Sequence, residues 1–115
     1  MKITISFFFT LLIFLSAVKA QSSTKEEIEF AFTNAQKGIY YSLDNIPINK
    51  TRLNEELIEK NKLVAKIKLS KEINGIKVES TGYYLSDEVS IKIYKSYNSL
   101  VKEGYIKDAE IYKRE

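Results

Sequence analysis

Lysines and tyrosines alternate with apolar residues between residues 63 and 94 of this 115-residue chain. Alternate side chains of a β-strand share one face, so this spacing predicts a sheet face with five candidate binding residues: Lys66, Lys68, Tyr83, Lys92 and Tyr94. Tyrosine rings beside lysines can contact a protein, a sugar or a nucleic-acid base. The alternative is a solvated sheet face, where both residue types are common.

Carboxylates are the other residues with reactive chemistry, in two groups: Glu26, Glu27, Glu29 and Glu55, Glu56, Glu59. Both groups lie where helices are predicted to begin, and a carboxylate there is stabilised by the helix dipole. The chain has no His and no Cys, which excludes a Ser-His-Asp triad, a thiolate nucleophile and imidazole or thiolate metal ligands. We therefore expect a non-enzymatic protein without catalytic residues, cofactor or metal.

Residues 1–20 have the pattern of a secretory signal peptide. Lys2 supplies the positive start, an apolar run extends from Ile5 to Val18, and the small residues Val18 and Ala20 precede Gln21 at cleavage-site spacing. The alternative is an uncleaved membrane anchor, but the run is about 14 residues, short of the ~20 that span a bilayer. The sequence predicts a leader at 1–20 and one domain at 21–115, periplasmic or secreted, with no membrane span after cleavage.

Removal of the leader changes the charge. The whole chain carries 18 basic and 15 acidic residues, a net charge of +3. Without Lys2 and Lys19 the net charge is +1, while all eight tyrosines remain. A nearly neutral exported domain gives no basis for predicting a nucleic-acid partner.

The first element that must position these residues is a helix from about residue 25 to 44. Thr24 and Glu27 have the spacing of a capping box, and apolar residues follow at helical intervals. Gly38 interrupts the pattern, but the apolar phase continues, which favours one long helix over an end at Gly38. Pro47 marks its end.

The segment from Asn49 to Asn61 is ambiguous. Its apolar residues Leu53, Leu57 and Ile58 fit a short second helix, which we favour. The alternative is a strand around Leu57–Glu59 that turns at Lys60–Asn61.

Three strands follow, from Leu63 to Ser70, from Ile76 to Tyr84 and from Val89 to Tyr94. Asn74–Gly75 predicts a type I′ turn between the first two, and a turn at Asp87–Glu88 joins the second to the third. We expect Gly82 to lie on the core face, where a helix approaches closely.

This register makes two cross-strand rows on the polar face, Lys66–Tyr83–Lys92 and Lys68–Thr81–Tyr94. After the sheet, Ser96 is expected to cap a short helix that ends at Gly104. Residues 107–115 are interpreted as an edge strand or a tail.

The predicted fold is α+β: a long N-terminal helix and a short second helix packed on a three-stranded antiparallel meander, followed by a short C-terminal helix. The order helix-helix-strand-strand-strand resembles, in architecture only, the β-lactamase-inhibitor-protein fold and the small outer-membrane-assembly lipoprotein that shares it. The Cys that anchors such a lipoprotein has no counterpart here.

We expect a small exported binding module whose Tyr/Lys face contacts a protein or a cell-envelope component. An exposed strand edge is a second way for it to bind. The alternative function is an inhibitor or immunity-type protein that blocks a secreted hydrolase with the turn Ser86–Asp87–Glu88.

Overall fold

The computed structural model describes residues 2–8, 12–17 and 24–112. The chain forms a sheet with helices against it, as the α+β prediction requires. The elements, in chain order, are β1 Lys2–Phe8, β2 Leu12–Ala17, α1 Lys25–Asp44, β3 Arg52–Glu59, β4 Lys62–Lys71, β5 Gly75–Tyr84, β6 Asp87–Ser96, α2 Tyr97–Lys102 and α3 Ala109–Tyr112.

Helix α1 has the predicted bounds and runs through Gly38 without a break. Thr24 is its N-cap, and the Glu27 backbone N–H donates to Thr24 Oγ1 at 3.1 Å. The Thr24 hydroxyl donates in turn to Glu27 Oε1 at 3.2 Å, which links the same two residues a second time. One long helix is therefore confirmed over a helix that ends at Gly38.

The predicted second helix is wrong, because Arg52–Glu59 forms strand β3. Leu53 and Leu57 are half-buried at alternate positions, and the strand pairs antiparallel with β4. Lys60 and Asn61 both have positive φ, at 52° and 64°, as a type I′ turn demands. The available edge of β4 stabilises a strand here, so residues 52–96 form a meander of four strands, not three. The resemblance to the β-lactamase-inhibitor-protein fold depended on a second helix before the strands. Because this segment is a strand, the structure does not support that resemblance.

The predicted type I′ turn at Asn74–Gly75 is also wrong. Gly75 is the first residue of β5, and neither residue has positive φ. Glu72 N–H donates to the Gly75 carbonyl at 2.6 Å, which closes a longer loop. A Cβ on Gly75 would lie 2.8 Å from Ser96 Cα, so this glycine is needed for the close approach of β6.

Helix α1 packs across β4, β5 and β6. Its buried residues are small where it crosses the sheet, and they include Ala31, Ala35 and Gly38. A Cβ on Gly82 of β5 would collide with the α1 backbone at Ala31 and Ala35. The prediction of a close helix approach at Gly82 is confirmed, with the helix backbone itself as the neighbour.

The chain after the sheet caps one end of this core. Ser96 Oγ accepts from the Ser99 N–H at 3.1 Å, and Gly104 has a φ of +86°, so the predicted helix with its cap and its stop is confirmed. Tyr97 and Leu100 are buried in the core. The described part of residues 107–115 contains the short helix α3 in place of the predicted strand or tail.

The full chain has two further strands within the predicted leader. Strand β1 pairs parallel with β6, and β2 pairs antiparallel with β1, which gives the strand order β2-β1-β6-β5-β4-β3. The predicted cleavage site at Val18–Ala20 lies outside the described residues. Removal of the leader therefore stays a prediction.

Candidate binding surface

The predicted binding residues lie on the sheet face opposite α1. The neighbouring positions in each strand, such as Ile67, Val78 and Ile91, are buried against the helix. Alternation therefore turns the other set of side chains outward, and we call this set the outer face. It carries all five predicted residues, and Lys66, Lys68 and Lys92 are exposed while Tyr83 and Tyr94 are half-buried.

The predicted rows across this face are wrong, although the faces are right. In the structure Lys66 pairs with Thr81 rather than with Tyr83, and Tyr94 pairs with Lys77 rather than with Thr81. Each predicted register is displaced by an even number of residues, because the loops before β5 and β6 differ from the predicted turns. An even displacement keeps every side chain on its face and changes only its neighbours.

One end of the outer face is built around Tyr83. The Lys66 ammonium lies 6.0 Å from the centre of the Tyr83 ring, at the limit of a cation–π contact. The Tyr83 carbonyl accepts from Asn34 Nδ2 of α1 at 2.6 Å, so the helix fixes the strand at this point. Burial raises the pKa of Tyr83 above 10.0, and the negative charges of Glu88 and Glu56 raise this pKa further.

The centre of the outer face carries alternating charges. Glu79 of β5 lies between Lys68 of β4 and Lys92 of β6 in one cross-strand row. In the adjacent row, Thr81 Oγ1 and Ser90 Oγ are 2.9 Å apart and hydrogen-bonded. Lys68 and Lys92 are both exposed, and neither takes part in the ion pairs found in the described part of the chain.

Tyr94 forms the other end of the outer face. Its ring borders an open depression of about 300 Å³, which it lines together with the loop residues Glu72, Ile73 and Asn74. Ile73 is exposed at the rim. Tyr83 and the Tyr94 partner Lys77 are six residues apart on β5, so the two tyrosines lie about 20 Å from each other along the strands.

The turn predicted as an inhibitory loop is not where the sequence placed it. The β5–β6 turn is Leu85–Ser86, and Tyr84 pairs with Asp87, so Asp87 and Glu88 already belong to β6. Asp87 is 1% exposed, so its side chain is not on the surface that a hydrolase would contact. Leu85 is at the tip instead, 75% exposed and with a φ of 55°, which is uncommon for a bulky residue.

An aromatic pair lies beside this turn. The rings of Phe30 of α1 and Tyr84 of β5 stack with centroids 4.8 Å apart, and Phe30 remains exposed. Sequence reasoning identified Tyr84 as a core residue but missed the stack and the exposed Leu85. The sequence does contain a signal for the exposed Leu85. Alternation places this apolar residue on the polar face, directly before Ser86, a residue type that favours turns.

The carboxylates have structural neighbours. Glu26 and Glu27 lie in the first turn of α1, as predicted. Glu55 accepts from the Tyr41 hydroxyl at 2.6 Å, and Glu59 lies 3.4 Å from the Lys37 ammonium, so both tie β3 to α1. Within the described residues, no three Asp or Glu side chains converge as metal ligands.

No helix among the described residues is long and apolar enough to cross a membrane. Comparison of the chain with protein-family models, with curated proteins and with solved structures gives no match. The site is therefore interpreted from its own residues.

Proposed function

We propose that the protein is a small exported, non-enzymatic binding module whose outer face contacts a protein or another component of the cell envelope. The observation that carries this proposal is the combination of exposed lysines and half-buried tyrosines on one face of the sheet. Lys68 and Lys92 are exposed and lie outside the described ion pairs, and Tyr83 and Tyr94 present ring surface at the two ends. Tyrosine is enriched where proteins bind one another.

The size of the face supports a macromolecular partner. The about 20 Å between the two tyrosines exceeds the length of a single sugar or base, so neither of these contacts both rings. A surface of this length matches the scale of a small protein–protein interface.

The charge of the face supports a partner other than nucleic acid. Between Arg52 and Tyr94 it carries five cationic side chains and three carboxylates: Arg52, Lys66, Lys68, Lys77, Lys92 and Glu56, Glu79, Glu88. The carboxylates interrupt the cations, and they would repel a phosphate backbone. A partner that offers both signs of charge fits the pattern better.

The test is the double substitution Tyr83→Ala with Tyr94→Ala. We expect it to abolish capture of a partner from envelope extract, because the two main apolar contacts are lost. Tyr40→Ala is the matched control, since Tyr40 is 59% exposed on α1, on the other side of the molecule. Equal capture by both variants, with circular dichroism unchanged, contradicts the proposal.

The inhibitor function remains as a second candidate, now centred on Leu85. An exposed leucine held at positive φ on a turn tip destabilises the free protein, and such strain often marks a binding site. Leu85→Gly accepts the same backbone conformation and removes only the side chain. If the protein is an inhibitor of a secreted hydrolase, this variant loses inhibition while Tyr83→Ala with Tyr94→Ala keeps it.

A further inference from the structure

The two ends of the four-stranded meander differ. Strand β3, at one end, contains a register shift between Leu57 and Ile58, and such a bulge discourages pairing with another chain. Strand β6, at the other end, pairs regularly with β5 over all ten of its residues. Within the described meander, β6 thus lacks the irregularity that protects β3.

The free hydrogen-bonding groups of β6 can be assigned from the turn before it. A two-residue turn closes on a hydrogen-bonded pair, here Tyr84 and Asp87, and hydrogen-bonded pairs then recur at every second residue. The intervening residues therefore direct their backbone N–H and C=O groups away from β5. These residues are Glu88, Ser90, Lys92 and Tyr94.

In the full chain this edge is occupied by β1, which runs parallel to β6. The register opposes residues of matched chemistry along its whole length. Apolar residues oppose apolar residues in the pairs Ile3–Val89, Ile5–Ile91 and Phe7–Ile93. At the remaining Cα positions the register places a lysine beside a glutamate, a threonine beside a serine, a serine beside a lysine and a phenylalanine beside a tyrosine: Lys2–Glu88, Thr4–Ser90, Ser6–Lys92 and Phe8–Tyr94.

We propose that the edge of β6 is a strand-acceptor site, which β1 covers in the precursor and a partner protein takes after the leader is removed. The partner supplies an extended segment of alternating apolar and hydroxyl residues, with a cation at its amino end opposite Glu88. Backbone hydrogen bonds supply the affinity, and the alternate side chains supply the specificity. This inference rests on the export that belongs to the proposed function, but it concerns a different surface from the outer face.

The experiment starts from the full gene expressed in a bacterium that exports it. Mass spectrometry of the recovered protein shows whether residues 1–20 have been removed. The processed protein is then titrated with a synthetic peptide of residues 2–8 carrying a hydrophilic tail, and amide hydrogen exchange is followed residue by residue. At ten times the Kd the edge is free for about a tenth of the time, so exchange slows about tenfold.

We expect this slowing at the outward amides of Glu88, Ser90, Lys92 and Tyr94, and no change along β3. Lys92→Pro removes one outward N–H and should abolish binding, while Lys92→Ala keeps that N–H, loses only the side chain opposite Ser6 and should weaken binding far less. A scrambled peptide without alternation should not bind. Circular dichroism establishes that both variants are folded.

Three results overturn the inference. The first is unchanged exchange along β6 in a processed protein, which leaves export supported and refutes the strand-acceptor site alone. The second is a dimer in sedimentation whose protected amides are those of β6, because the occupant is then a second copy. The third is an unprocessed chain, which refutes removal of the leader and leaves β1 as the permanent partner of β6.

Discussion

Ser80 and Gly38 face each other in the tightest part of the helix–sheet contact, and their coupling is directly measurable. Ser80 is fully buried, and its Oγ has no hydrogen-bond partner in the described part of the chain. A Cβ on Gly38 would collide with this same Oγ. It would also lie 3.1 Å from Ala65 Cβ and 3.2 Å from Ile67 Cγ1, so these neighbours would have to move by a few tenths of an ångström.

The expected free energies follow from these contacts. Ser80→Ala removes a buried, unsatisfied hydroxyl and should raise the free energy of unfolding by about 1 kcal/mol. Gly38→Ala gains about 1 kcal/mol of helix propensity but loses about 2 kcal/mol to overpacking, so it should destabilise by about 1 kcal/mol. With the Ser80 hydroxyl absent, most of the overpacking disappears, and Gly38→Ala should stabilise by about 0.5 kcal/mol. The coupling between the two sites is then about 1.5 kcal/mol, well above the limit of simple additivity.

The assay is urea unfolding of the original protein, both single variants and the double variant, followed by circular dichroism. An unchanged m-value shows that the two-state comparison is valid. If Gly38→Ala costs the same with and without the Ser80 hydroxyl, the steric argument is refuted. If Ser80→Ala alone is destabilising, the Ser80 hydroxyl forms a stabilising hydrogen bond, and the premise of an unsatisfied hydroxyl is refuted.

Three further predictions come from single side chains. Gly82→Ala should lower the free energy of unfolding by about 3 kcal/mol, because the new Cβ would meet α1 backbone that cannot rotate away. Urea unfolding measures this loss. A change in the free energy of unfolding near zero contradicts the close approach of α1 to β5. Spectrophotometric titration should show Tyr83 ionising above pH 10.0. Glu88→Gln should lower the pKa of Tyr83 only in part, since burial raises it more than the Glu88 charge does. A full return to 10.0 contradicts burial as the larger cause. Burial lowers the pKa of Lys71 below 10.5 in the folded protein. Between the folded and unfolded pKa values the unfolded chain binds more protons, so stability rises with pH across that window. Urea unfolding at several pH values should show that Lys71→Met loses this rise.

Much of the fold was predictable because its signals are local. The capping box at Thr24 and Glu27, the apolar phase through Gly38 and the Ser96 cap each depend on a few neighbouring residues, and all three predictions are confirmed. The short-range pattern of residues 52–59 fits both a helix, which the sequence favours, and a strand. The free edge of β4 decides between them, and no local pattern in this segment records that edge.

The candidate site shows the same division. Alternation assigned Tyr83 and Tyr94 to one face, because a side chain's face depends only on its position in its own strand. Their distance from each other depends on loop geometry, and the sequence favours a two-residue turn at Asn74–Gly75 that the structure lacks. Gly75 is required because Ser96, 21 residues later in the chain, packs closely against it. Turn propensities describe only neighbouring residues and do not include such a contact.

The packing of α1 also determines when the protein can fold. The hydrogen bond from Asn34 to the Tyr83 carbonyl joins residues 49 positions apart. The sheet surface on which α1 packs is complete only after β6 has been synthesised. A 20-residue helix alone is marginally stable, so α1 gains most of its stability from these late contacts. Such non-local contacts slow folding. We therefore expect strands β3 to β6 to assemble first and helix α1 to dock last, although α1 leaves the ribosome before these four strands.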